Sequence, residues 1–393
     1  MRVAVYIPHD LNTHGGVEKH VLRLADGMRA AGVEVDVFGK YPPSGHFPVE
    51  TTETFYPLGD FDLNRYDVIH THSGFYDPAS LAMQLRHSPR RRFVHTLHTV
   101  SLDYLFRCKT WWNWRCYWST FIEGLWSRYA DHVIAVSEST RRMALKYFRI
   151  PGEKCSVILN GFDPDGCAGV ATGQQEADSV RKRYGIAPDQ LLLLFVGRGE
   201  DRVKGTRDIA AAMDVLHREF PPLRLLAVPG SGFEEAPWLI RSGPIAHKQV
   251  ASCYAAADIF INASLSEGFP LTVVEALATG LAVLAAPVGG IREVIKHGEN
   301  GLLLHPDRSD LAGQLRRLIR DEGLRKYLGQ RAAGSVAHLT WNNLARQTIA
   351  VYESLCSTGP RREKQPLTLN RFEDVLSGGD PHEEELLTAY ESR

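Results

Sequence analysis

The chain has 393 residues, 44% hydrophobic and 23% charged, with a formal net charge of −1, which describes a soluble globular protein long enough for two ordinary domains. So even a charge balance leaves no field to hold DNA or RNA by phosphate neutralisation, which argues against nucleic acid as a partner. The six cysteines contain no Cys-x-x-Cys pair and no finger-like spacing, which argues against a disulfide framework and a structural zinc and points to a reducing cytoplasm.

Arg2 to Ile7 reads as a first β-strand. It has neither the length nor the cleavage site of a signal peptide. A polar loop from His9 to Gly16 follows, then helical periodicity from Val17 to Ala25 and a strand from Val33 to Phe38, which together make a βαβ opening. Short apolar runs recur at Asp67 to His70, Phe93 to Leu97, His132 to Val136 and Ser156 to Leu159, separated by helix-length segments such as Pro78 to Leu85 and Glu138 to Phe148. This alternation implies a parallel sheet covered on both faces. Between Asp163 and Gly173 three glycines and a proline break the pattern, ahead of a charged helix from Gln175 to Tyr184, and the domain boundary is expected there. A second alternation runs through a strand ending at Val196, a helix from Asp208 to Arg218, strands at Leu223 to Val228 and Ile259 to Asn262, a central helix, and a strand at Ala282 to Ala285.

The expected fold is therefore α/β, two Rossmann-like doubly wound domains facing a cleft, with ligands at the carboxyl ends of the strands. The predicted boundaries are 1–165 and 185–340 for the two domains, 341–356 for an amphipathic last helix, and 357–393 for a polar tail. Leu271 to Gly290 holds one charge in twenty residues, but Glu275, Pro287 and its glycines make it a buried helix, turn and strand rather than a membrane span.

The segment from Ser266 to Gly280 carries the chemistry. Pro270 suits a first helical position and Gly280 a stop, so one glutamate, Glu267, precedes a helix and another, Glu275, lies within it. Amides from Gly268 to Leu271 would point between the carboxylates, an arrangement suited to a phosphorylated sugar; the plainer reading is a capping Glu267 and a Glu275 on the wet side. Gly15-Gly16 sits at the first strand-to-helix turn and is not the Gly-x-Gly-x-x-Gly dinucleotide fingerprint. Arg198 and Lys204 follow the first strand of the second half, where a bidentate Arg and a point-charge Lys can neutralise a diphosphate; the plainer reading is a solvated loop shared with Glu200, Asp201 and Arg202. His95 and His98 end a strand on opposite faces; His98 is chosen for the cleft, with His70 and His72 as structural histidines. Trp111, Trp112, Trp114, Trp118 and Trp126 crowd one stretch with several basic residues, which reads as core packing, an acceptor-site wall, or a surface touching a membrane.

Taken together and in order, Gly15-Gly16, Val136-Ser137, Asn160-Gly161-Phe162-Asp163, Gly197-Arg198, Lys204-Gly205, the Glu-x7-Glu of Glu267 and Glu275, and Gly289-Gly290 resemble glycosyltransferase family 4 over about residues 1–355. The resemblance implies a retaining, metal-independent GT-B glycosyltransferase with no cofactor beyond its nucleotide-sugar co-substrate. By it, Arg198 and Lys204 bind the donor diphosphate, Gly16 and the Phe269, Pro270, Leu271 and Thr272 segment approach the diphosphate and sugar, and Glu275 holds the ribose. Glu267 holds the sugar hydroxyls, with His98 beside the transferred sugar as the catalytic pair. Gly243 and Ile245 mark the base-binding turn, Trp111 and Trp112 the acceptor side, and the last helix crosses back to the first domain. Only ten residues separate Gly232 from Gly243, where the family commonly has a longer helix and strand.

The expected donor is a UDP-sugar such as UDP-GlcNAc or UDP-Glc, and the expected acceptor a small polar molecule such as a cyclitol or aminocyclitol. The alternatives are transfer to a lipid-linked saccharide at a membrane surface with GDP-mannose as donor, an epimerase or phosphorylase on the same fold, or a non-catalytic nucleotide-sugar-binding protein. A dehydrogenase would need the fingerprint this chain lacks.

Overall fold

In the computed structural model the described residues are 1–7, 15–39, 55–57, 65–72, 91–100, 114–163, 174–197 and 202–358. The chain divides into two compact units, one of Met1–Gly161 with the segment that begins at Leu339, the other of Phe162–His338.

In the first unit β1 (Arg2–Ile7) leads to α1 (Gly16–Ala30), β2 (Glu34–Gly39), β3 (Phe55–Pro57), β4 (Val68–His72), β5 (Arg92–Leu97), α2 (Trp114–Tyr129), β6 (His132–Ala135), α3 (Glu138–Tyr147) and β7 (Cys155–Val157). The strands form one sheet in the order β3-β2-β1-β4-β5-β6-β7. β1 is paired in parallel on both sides, Val3 opposite Val35 and Val68, and Val3 to Ile7 are buried. Such a strand must be apolar on both faces, which is why it reads as a continuous run rather than an alternation. Ser137 caps α3 by accepting from the Thr140 amide.

The second unit follows with α4 (Gln174–Arg183), β8 (Leu192–Val196), α5 (Thr206–Glu219), β9 (Arg224–Val228), β10 (Leu239–Arg241), α6 (His247–Ala256), β11 (Ile259–Asn262), α7 (Leu271–Ala278), β12 (Ala282–Ala285), α8 (Ile291–Val294), β13 (Leu302–Leu303), α9 (Leu311–Arg320) and α10 (Glu322–Val336). Its sheet runs β10-β9-β8-β11-β12-β13, and the pairs within it are parallel. Helix α4 belongs to this unit, whose span begins at Phe162, ahead of residue 185. Arg181 fastens it by donating to the Ala256 carbonyl and to Asp258, whose carboxylate also accepts from the Leu192 amide at 2.7 Å. The short connection between Gly232 and Gly243 keeps a strand, β10, but no helix.

The last helix, α11 (Trp341–Ser357), completes the first unit. Thr340 caps it by accepting from the Asn343 amide, and its length packs along α1. The approach is close enough to require glycine: a side chain at Gly27 would meet Ala345 at 2.8 Å, and one at Gly161 would meet the Trp341 amide nitrogen at 2.5 Å. At its far end Arg92 donates to the Leu355 carbonyl and the Tyr352 hydroxyl reaches His70. No helix among the described residues is long and apolar enough to cross a membrane.

Candidate functional site

Each sheet reverses its strand order beside its first strand, between β1 and β4 and between β8 and β11. Loops leaving the carboxyl ends of such strands diverge and leave room for a ligand. In the second unit the loops after β8 and β11 carry the residues singled out by sequence.

Lys204 ends a short 3-10 turn, Arg202–Lys204. The backbone brings it to the β11 loop: the Leu265 amide donates to the Val203 carbonyl at 2.6 Å, and Gly205 approaches so closely that a Cβ there would lie 2.1 Å from the Ala263 carbonyl oxygen. Gly205 has φ of 68°, a conformation glycine adopts without strain. Lys204 Nζ then donates to Glu267 Oε1 at 2.7 Å, and Ser264 Oγ donates to the same oxygen at 2.7 Å. Glu267 is the more buried partner, its side chain 13% exposed against 31% for Lys204.

Glu267 is followed by the start of α7. Pro270 is the N-cap residue rather than the first helical one, and Gly280, with φ of 76°, lies just past the C-cap Thr279. The Val273 amide donates to the Pro270 carbonyl at 3.2 Å, while the amides of the first two helical residues, Leu271 and Thr272, lie at the helix's positive end, where the helix itself supplies no acceptor. The loop before it is braced by the Gly289 turn, where a Cβ would lie 2.1 Å from the Glu267 carbonyl oxygen, and by the Gly290 amide, which donates to the Gly268 carbonyl at 2.9 Å. Glu275 is buried, not on the wet side: it is 6% exposed, and the Tyr254 hydroxyl donates to its Oε2 at 3.1 Å. Ser264 and Tyr254 are thus parts of the site that the sequence reading missed; Tyr254 comes from α6 and carries no motif.

The other expected residues are scattered over both units. Phe269 and Leu271 are buried beside Pro270, with Thr272 half-buried. Gly243, with φ of 65°, and half-buried Ile245 form the turn after β10, tied by the Gly243 amide to the Pro229 carbonyl. Arg198, Trp111 and Trp112 lie outside the described residues. In the first unit Gly16 opens α1 and is exposed, and among the described residues a Cβ there would touch nothing within 4 Å, so they impose no steric need for glycine.

His98 stands one residue past β5 and is buried, with its Nε2 3.1 Å from His72 Nδ1. His20, on α1, packs edge-on to it with ring centroids 4.6 Å apart and meets Asn160 Oδ1 through Nδ1 at 2.7 Å. Burial pushes His20 down to about 4 despite the Asn160 bond, and holds His70 and His72 well below the ordinary imidazole range. His70 bridges Thr96 and Tyr352. His95, paired with Thr71 and edge-on to Trp126, is lowered by burial to about 3.

Comparison with known proteins places this geometry. Residues 59–165 match the family described as Glycosyltransferase Family 4, and residues 190–321 match Glycosyl transferases group 1, together well over half of the chain. An uncharacterized glycosyltransferase of Methanocaldococcus jannaschii is 27% identical, covering 86% of this chain and 94% of that protein. A phosphatidyl-myo-inositol mannosyltransferase of Mycolicibacterium smegmatis is 26% identical over 91% of this chain and 95% of its own length. A D-inositol 3-phosphate glycosyltransferase of a Nocardioides species is 26% identical, covering 86% and 85%. Among solved structures, sucrose-phosphate synthase from Thermosynechococcus elongatus aligns with a TM-score of 0.75 at 22% identity, covering 91% of this chain and 100% of that one. Anabaena HepE in complex with UDP and glucose aligns at 0.71 and 19%, covering 90% and 100%. With its two parallel sheets, its Lys204–Glu267 pair at a switch point and these matches, the chain belongs to the family 4 glycosyltransferases of GT-B fold.

Proposed function

We propose that the enzyme transfers a sugar from a UDP-sugar to a hydroxyl of a cyclitol, with retention at the anomeric carbon. The observation that carries this reading is the cluster at the start of α7, where Lys204, Ser264 and Glu267 share one oxygen and Glu275 is held by Tyr254. Lys204, joined by Arg198, neutralises the donor diphosphate, so chain cations do the work a divalent metal would otherwise do. Glu267 accepts from the sugar hydroxyls, Glu275 from the ribose, and His98 of the first unit is assigned to the transferred sugar.

Charge grows on the diphosphate as its bond to the sugar lengthens. Lys204 and the opening amides of α7 stabilise that charge without reorganising, because the backbone contacts at Val203, Gly205 and Gly289 already hold them. The acceptor hydroxyl attacks from the leaving-group side and its proton passes to a β-phosphate oxygen. UDP is supported by the UDP complex of the HepE fold relative, and a cyclitol by the inositol ring named for two sequence relatives. The phosphatidyl carrier named for one of them favours a second reading, in which the ring is lipid-linked and the donor is GDP-mannose. A reducing, cytoplasmic setting fits the buried free thiols Cys155 and Cys253, which burial raises to about 11.

The test is a matrix of UDP-glucose, UDP-GlcNAc and GDP-mannose against myo-inositol, inositol 3-phosphate and phosphatidylinositol vesicles, read by mass spectrometry. A glycosylated inositol from a UDP-sugar supports the reading. Product only from GDP-mannose on vesicles moves it to the second, and hydrolysis without transfer in every cell sinks both.

A further inference from the structure

We propose that His72 is a positioning residue for His98, and that the rate of sugar transfer depends on the ring orientation it imposes. This rests on the reading of His98 as the group beside the transferred sugar, and goes beyond it by naming what aims that ring. Both residues belong to the first unit. β4 and β5 run in parallel with His72 opposite Thr96, so the last side chain of β4 is set beside the residue just past the end of β5. His70 and His72, two positions apart on β4, share a face of the sheet.

These two histidines of one strand are put to contrasting use. His70 bonds through both ring nitrogens, to Tyr352 and to Thr96, as a buried histidine kept for packing should. Among the described residues His72 instead makes one side-chain hydrogen bond, between its Nδ1 and His98 Nε2 at 3.1 Å, and its Nε2 is buried without a partner. Departures of this kind from polar pairing gather at functional sites. One of two bonded ring nitrogens donates and the other accepts, so the contact couples the proton positions of the two rings as well as their planes.

The rings around this bond are themselves fixed. His72 stacks on His98 with centroids 5.3 Å apart and planes 30° apart, and lies in turn against the doubly bonded ring of His70, with centroids 4.3 Å apart. His20 meets His98 edge-on at 87°. An amide oxygen only accepts, so His20 Nδ1 donates to Asn160 Oδ1, and its ring is also edge-on to Trp341 of α11. His20 thus walls one side of His98, and the bond from His72 sets the rotation that is left. Burial keeps His20 and His72 uncharged at neutral pH, so they flank a third imidazole without charge repulsion.

The test separates hydrogen bonding from packing in the full chain. His72→Phe keeps a ring and loses the bond, whereas His72→Asn places an amide on the carbon that carries Nδ1 and loses the ring. With the donor and acceptor pair that reacts in the matrix above, His72→Phe is expected to lower kcat roughly ten- to a hundredfold with the donor KM little changed, and His72→Asn to recover most of the loss. In the His98→Ala background His72→Phe should cost nothing further. Losses that simply add, or a Phe variant faster than the Asn one, overturn the proposal; a wild-type kcat in His98→Ala overturns the reading of His98 and this proposal with it. A readout without substrate is the long-range 1H–15N correlation of ring nitrogens in histidine-labelled protein, the His98 signals being identified by their loss in His98→Ala. One His98 tautomer in the wild type and two in His72→Phe are expected, and the same tautomer population in both overturns the proposal even where no pair reacts. Circular dichroism checks that each variant is folded.

Discussion

Lys204 and Ser264 both donate to Oε1 of Glu267, and among the described residues Oε2 carries no hydrogen bond, so the second oxygen is available to a sugar hydroxyl. Removing the cation should be felt mainly by the diphosphate. Lys204→Ala is expected to weaken UDP binding at least tenfold, about 1.4 kcal/mol, as measured by titration calorimetry, with only a small change in Tm. Tyr254→Phe removes one hydrogen bond to the Glu275 carboxylate; donor affinity should fall about five- to tenfold, and an unchanged Kd would remove Tyr254 from the site. His95 makes a pH prediction. Its folded value, about 3, lies below the ordinary 6.5, so the unfolded chain takes up the proton first as pH falls. Its contribution is complete above about pH 6.5 and is lost progressively towards pH 3, on the order of 2–3 kcal/mol by pH 4.5. Urea melts at pH 7 and 4.5 should show a smaller loss in His95→Gln than in the wild type.

At the scale of elements, two glycines at loop-to-helix turns should behave oppositely. Gly205→Ala forces a left-handed residue and a Cβ into the Ala263 carbonyl, and should cost about 3 kcal/mol and displace Lys204. Gly16→Ala meets nothing within 4 Å among the described residues and should leave Tm unchanged, so any effect would be on donor affinity. Burial and length decide what was legible in the sequence. β8, β11 and β12 are buried on both faces, so they read as apolar runs. β10 and β13 have three and two residues, too few to show a period, and α6 begins after Ala246, which offers no capping side chain. Glu267 and Glu275 stand out because one motif carries both. Topology brings Tyr254 to Glu275 in the second unit and, separately, His20 and His72 to His98 in the first, and no spacing announces either.

Among the described residues the second unit is one continuous stretch, Phe162–His338, whereas the first is completed by a segment from beyond it. A fragment of residues 162–338 should therefore fold alone and melt cooperatively, while residues 1–338 should leave the α1 face at Gly27 uncovered and lose first-unit stability. A non-cooperative melt of the fragment by calorimetry would count against this division.

The same connectivity has a consequence in time. On the ribosome the first unit's sheet emerges early, yet the helix that covers α1 is translated only after the stretch Phe162–His338, a delay of roughly 10–40 s at 5–20 residues per second. For that interval the nascent chain carries a finished second unit beside an unfinished first one. Conditions that hasten misassembly should therefore act on the first unit before α11 arrives.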